Sequence, residues 1–124
     1  MSNVRSYTLE ASSTETFGRV LCSSRNHHFI VDGPEQNGCP GEAITPVEVF
    51  LSAVAACGVE LVQVIAKERG YPLEEVHVAI SGMVDRDRPV RTDLTVFNRV
   101  DVAFRLRGVT RTQGEDLVES FKGR

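Results

Sequence analysis

The sequence predicts an α+β fold, and three observations carry that reading. The first third alternates polar and apolar residues in short runs broken by turn residues. A long apolar helix with a defined start and stop then fills residues 46–69. Period-two patterning returns after Gly70, and a capped helix closes the chain. Strands, helix, strands, helix is the order of an α+β protein built on antiparallel sheet, in one domain spanning residues 1–124.

In the first third, Tyr7, Leu9 and Ala11 alternate with Thr8 and Glu10, and residues 18–23 and 28–32 form two further strands. Asn26, which tolerates a left-handed backbone, marks the turn between those two. Residues 33–43, GPEQNGCPGEA, are punctuated by Gly and Pro and can only be loop. The loop lacks the Lys-Ser/Thr ending of a phosphate-binding loop and the spacing of a dinucleotide fingerprint.

Thr45 supplies an N-cap, Pro46 suits the first helical position, and Glu48 completes a T-x-x-E capping box. Gly70 and Pro72 end the helix, giving a rod of roughly 36 Å at about 1.5 Å per residue. From Val49 to Ala66 its surface is apolar almost all the way round, so it must be buried on every side. Lipid could do that, but Glu60 and Gln63 near its middle argue against a membrane span. A chain this short cannot cover such a helix alone, so a partner subunit is expected.

Beyond Gly70, Val76, Val78, Ile80 and Val84 share one strand face. Residues 85–93, DRDRPVRTD, read as a charged loop. Leu94, Val96, Val100, Val102, Phe104 and Leu106 then line one face of a long strand whose other face carries arginines. A last helix is expected from Thr112, capped by Glu115, burying Leu117, Val118 and Phe121. The chain ends on SFKGR with nothing to pair the free edge of the last strand, which predicts that a C-terminal strand is missing.

Composition narrows function. The formal net charge is −3, the arginines are interleaved with aspartates, and Trp is absent, which excludes a nucleic-acid footprint. The N-terminal residues hold no apolar signal region, so the three cysteines, Cys22, Cys39 and Cys57, read as cytoplasmic thiols rather than a disulfide framework. Cys22 falls on a strand and reads as core, while Cys39 lies in the loop before the helix. His27 and His28 in a turn, with Cys22 and Cys39, match no compact metal-ligand spacing, so neither a metal nor any other cofactor is expected.

Cys57 sits mid-helix, with Phe50, Ala53, Val54, Glu60, Leu61 and Val64 at helical contact spacing. On position alone it reads as a small core residue. Desolvation and the like charge of Glu60 would both disfavour its thiolate, so a reactive Cys57 requires a cation from elsewhere.

The stretch from Phe29 to Val78 resembles the OsmC/Ohr family: a strand ending in V-D-x-P, a glycine-rich loop, then T-P-x-E and an Ala-Cys pair. Here these are FIVDGP, residues 33–43, and TPVEVFLSAVAAC, followed by AKERGYPLEEVHV. The resemblance continues more weakly to the C-terminus. It implies antiparallel sheets around a long buried central helix in an intertwined homodimer. It also implies a thiol-dependent peroxidase, in which Cys57 attacks an organic or hydrogen peroxide and becomes a sulfenic acid that a thiol reductant restores.

Two positions depart from the hydroperoxide-reductase pattern. The family glutamate lies ten residues before the cysteine, where this chain has Val47, with Glu48 one place on. Phe17 stands near the family arginine, which leaves Arg19 on the same strand face as the substitute and Arg25 in reserve. The resemblance also places a resolving Cys-Pro pair after FKGR; of the internal cysteines, Cys39 is the alternative within reach of the helix. The apolar departures support a second reading, a non-catalytic dimer that binds a small hydrophobic ligand around Cys57.

Overall fold

A computed structural model describes residues 3–123. The backbone divides into two compact units, one ending at Phe50 and one beginning at Leu51.

The first unit is a three-stranded antiparallel sheet, β1 (Glu10–Ser13), β2 (Arg19–Ser24) and β3 (His27–Asp32), in that order. Arg25 and Asn26 both take positive φ, 50° and 68°, as a two-residue type I′ hairpin requires. That turn sets the β2–β3 register, so Ser24 faces His27 and Arg19 faces Asp32. β1 begins three residues later than the alternation at Tyr7 suggests, and Tyr7 and Leu9 are exposed. His27 and His28 lie on β3 rather than in the turn, with His28 Nδ1 2.7 Å from Ser23 Oγ. Cys22 is buried, as expected of a core strand residue. A single turn of 3₁₀ helix, Glu35–Asn37, interrupts the glycine-rich loop. Cys39 then packs its sulfur where a Cβ on Gly18 or Gly33 would lie, so both positions must be glycine.

Helix α1 runs from Pro46 to Arg69, the predicted bounds, and Gly70 follows at φ +71°. The capping interaction is half of the expected box. Glu48 Oε1 accepts from Thr45 N at 3.0 Å, while the Thr45 hydroxyl donates to that same oxygen instead of accepting from the helix.

In the second unit, β4 (Glu75–Met83) and β5 (Arg99–Arg107) pair antiparallel. Val76, Val78 and Ile80 face Leu106, Phe104 and Val102 across the ladder, and Arg105 and Arg107 lie on the solvated side. Both strands are shorter than the alternation implies: Val84, Leu94 and Val96 fall in the connection. Asn98 accounts for the late start of β5. Its Oδ1 accepts from Asp85 N at 2.8 Å and its Nδ2 donates to Arg88 O at 2.7 Å, folding the charged segment into a loop of its own.

Helix α2 covers Arg111–Lys122, with its cap at Thr110, two residues before the cap expected at Thr112. Its capping box is formed by Thr110 and Gln113, not by Thr112 and Glu115. Two overlapping T-x-x-[Q/E] motifs compete there. The earlier one wins because Val109, just ahead of the cap, packs onto the core. That core is Val62, Ile65, Ala66 and Leu117, joined by Phe104, Leu106 and Phe121. The rings of Phe104 and Phe121 meet edge to face at 5.4 Å.

Candidate functional site around Cys57

Cys57 is exposed on α1, not buried as its apolar neighbours suggest. The helix is covered on one side only. Its buried residues are Gly58, Val62, Ile65 and Ala66, which share a face. About a third of a turn away, Phe50, Ala53, Cys57, Glu60 and Val64 form a second, exposed stripe at alternating three- and four-residue spacing. Phe50 is 58% exposed and Val47 53%, unusual for large apolar side chains on a mid-chain helix.

Gly58 lies on the covered face with Val62, Ile65 and Ala66. A Cβ at position 58 would lie 3.4 Å from two atoms of the Phe104 ring and 3.6 Å from Val78. These are ordinary packing distances, which place Gly58 on the side of α1 that Phe104 and Val78 cover, and a neighbour one residue before it in the helix points about 100° away. Cys57 is that neighbour. It is a free thiol, and among the described residues nothing bonds to its sulfur.

The other two sequence candidates lie in the first unit, and each already has partners. Glu48 is the acceptor for Thr45, whose hydroxyl and then backbone N–H hold its carboxyl below the usual carboxylate range. Arg19 is joined to Asp32 by two parallel bonds, Nε to Oδ1 and Nη2 to Oδ2, each 2.8 Å. Arg25, the reserve candidate, is half of the hairpin turn.

Asp32 is the polar residue that the sequence reasoning missed. It is the Asp of the V-D-x-P stretch, its exposure is 0%, and it also accepts from Glu42 N at 3.0 Å and Ala43 N at 2.9 Å. The Arg19 guanidinium, followed by those two N–H groups, holds its carboxyl far below the usual range against the opposing effect of burial. The signal was present in the chain: a two-residue turn at Arg25–Asn26 forces Arg19 and Asp32 into the same cross-strand pair. The result fixes the start of β2, the end of β3 and the glycine-rich loop to one carboxylate. Among the described residues, no group of three or more His, Cys, Asp or Glu is placed to hold a metal ion.

Comparison with known proteins agrees with the architecture. The family model described as OsmC-like protein matches residues 39–123. An OsmC-like protein from Mycoplasma pneumoniae superposes with a TM-score of 0.81 at 15% identity, over 97% of this chain and 82% of that one. An organic hydroperoxide resistance protein from Elizabethkingia anophelis gives 0.76 at 18% identity, over 99% and 85%. Another from Legionella pneumophila gives 0.74 at 18% identity, over 98% and 85%. At such identities the likeness is one of fold. No protein of curated function matches the sequence.

Proposed function

The chain belongs to the OsmC-like protein family, and on that premise we propose that it is a thiol-dependent peroxidase whose reactive group is Cys57. The observation that carries this reading is a free, exposed thiol at the centre of an apolar helix stripe. An apolar peroxide can lie against Phe50 and Val64 with its O–O bond at the sulfur. The thiolate then attacks one peroxide oxygen, the O–O bond breaks, and the alkoxide leaves and takes a proton to become an alcohol. Cys57 is left as a sulfenic acid, which condenses with one reductant thiol to a mixed disulfide with loss of water; a second thiol then releases the Cys57 thiol and leaves the reductant as a disulfide. No cofactor is needed.

The thiolate requires a cation, and Arg19 is the group assigned to that role, held in a fixed orientation by Asp32. Glu48 is assigned to the start of α1, where its bonds to Thr45 give it a structural part beside any catalytic one. The exposed stripe is assigned to a second copy of the chain, since a row of large apolar residues on a helix is poorly tolerated in water. Such a homodimer would operate among cytoplasmic thiols.

Replacing Cys57 by Ser tests the assignment directly. Thiol-dependent consumption of an alkyl hydroperoxide should fall by at least a hundredfold, and Cys22→Ser should retain most of it. Equal turnover by the Cys57 variant removes that residue from the reaction. For the dimer, sedimentation at micromolar concentration should give twice the chain mass.

The partners found for Arg19 and Glu48 favour a second reading, a non-catalytic dimer binding a small hydrophobic ligand on the same stripe. The two separate on the acidity of Cys57, followed by pH-dependent alkylation read at its own peptide. A thiol titrating at or above the free-cysteine value of about 8.5 selects the binding module.

A further inference from the structure

Two side chains that can close a ring onto the main chain are followed directly by glycine: Asp32 before Gly33, and Asn37 before Gly38. In such a pair the next backbone nitrogen attacks the side-chain carbonyl and forms a five-membered imide, an intramolecular step governed by positioning. Glycine in second place leaves that nitrogen unshielded and its backbone free to turn. By sequence the reaction is open to both pairs. Their surroundings separate them.

At Asp32 both reacting groups are held. Its carboxylate accepts two bonds from Arg19 at 2.8 Å, one from Glu42 N at 3.0 Å and one from Ala43 N at 2.9 Å. As an anion it is a poor electrophile, and it is closed to water. The nitrogen that would attack, Gly33 N, donates to Gly18 O at 2.8 Å.

Asn37 stands at the other extreme. It ends the 3₁₀ turn, it and Gly38 are exposed, and among the described residues its side chain carries no hydrogen bond. A Cβ on Gly38 would meet nothing within 4 Å, so water reaches this link freely. One bond stands in the way, from Gly38 N to Glu35 O at 2.9 Å. Breaking one such bond slows the reaction about tenfold at most. Asn98, by contrast, is followed by Arg99 and holds Asp85 N and Arg88 O with its amide.

We propose that Asn37 is a site of spontaneous modification by water, and that its product releases the thiol of Cys39. Gly38 N bonds to Asn37 Cγ, the Cγ–Nδ2 bond breaks, and ammonia leaves with the proton of the Gly38 N–H. Water then opens the imide at either carbonyl. One product is aspartate. The other, isoaspartate, runs the main chain through Cβ and Cγ, which lengthens it by one carbon and turns the Asn37 carbonyl into a free carboxylate.

That carbon enters the turn that places Cys39. Asn37 N and Cys39 N both donate to Pro34 O, at 3.0 and 3.4 Å, and the Cys39 thiol donates to Asn37 O at 3.8 Å. The Cys39 sulfur is wedged beside Gly18 and Gly33, 2.4 Å from where a Cβ on either would lie. A longer link without its carbonyl acceptor no longer holds the sulfur there. The inference is independent of the peroxidase reading, since Cys57 takes no part in it.

The test ages the full chain in mildly alkaline buffer with its thiols kept reduced, then maps its peptides by mass spectrometry with fragmentation that identifies isoaspartate. Asn37 should deamidate at least about tenfold faster than Asn98, which must break two side-chain bonds and has no glycine after it. Residue 32 should show no isoaspartate. The isoaspartyl form, separated by ion exchange, should alkylate several-fold faster at Cys39 than the unaged chain, with Cys22 unchanged. Freshly prepared Asn37→Asp carries the new charge without the longer chain and should leave Cys39 as slow as in wild type. Equal rates at Asn37 and Asn98, or isoaspartate forming first at residue 32, overturn the modification site. An unaltered Cys39 rate in the isoaspartyl form overturns the release, and an equal rise in Asn37→Asp overturns the part given to chain length.

Discussion

The two units of this protein are stabilised by opposite means. The second has a conventional core, in which Val62, Ile65 and Leu117 are fully buried and Phe104, Leu106 and Phe121 close around them. In the first, the fully buried side chain is a charged one. Asp32 collects a bidentate arginine and two backbone N–H groups, with Cys22 and Val31 the buried apolar residues beside it. An apolar core gains stability in proportion to area and tolerates approximate shape. A buried carboxylate is stable only when every one of its bonds is made, but it then fixes each attached segment to a single geometry. The contrast teaches where precision is spent: the polar device orients Arg19 and the loop before α1, while the apolar core orients the helix itself.

The largest test of this contrast is in the second unit. Ile65→Ala should cost about 3 kcal/mol in denaturant unfolding, since it removes a fully enclosed side chain and leaves a cavity. A loss of much less than about 2 kcal/mol would mean that this unit does not depend on close packing.

Asp32→Asn should be less costly than Ile65→Ala, and its loss should depend on pH. The folded-state pKa of Asp32 is depressed, so its contribution is complete above the unfolded carboxylate value of about 3.9 and is lost as pH falls below it. The stability gap between wild type and variant should therefore be constant near neutrality and narrow in acid. A gap that stays constant through pH 3 (approximately one unit below that value) would show that the ion pair is not what Asp32 contributes.

The smallest effect belongs to a helix end. Thr110→Ala should cost about 1 kcal/mol, because the Thr110 hydroxyl accepts from Gln113 N at 3.2 Å. Thr112→Ala, inside the helix rather than at its cap, should cost nothing and gain up to about a few tenths, because Ala is the better helix former. A reversal of that order would restore the later start of α2.

Much of the fold was legible because its signals are local. Pro46, Gly70 and Pro72 bound α1 without reference to anything distant, and the alternation of Val76, Val78 and Ile80 names the covered face of β4 from the pleat alone. Asn26 marked the hairpin turn, and with it the Arg19–Asp32 pair was within reach of the sequence. Signals that depend on competition were harder to weigh. Two capping motifs overlap at Thr110 and Thr112, and it is the packing of Val109 that selects between them.

The sequence by itself therefore determined the α+β class, the family, the length of α1 and the presence of a cysteine in its middle. Only the tertiary structure decided which way that cysteine points. A helix apolar on every side has no preferred face in its pattern, so nothing in residues 49–66 states its rotation. The rotation comes from fit: Val62, Ile65 and Ala66 are the positions enclosed with Leu117, Phe104 and Phe121, and once they are, Cys57 and Glu60 are turned outward together.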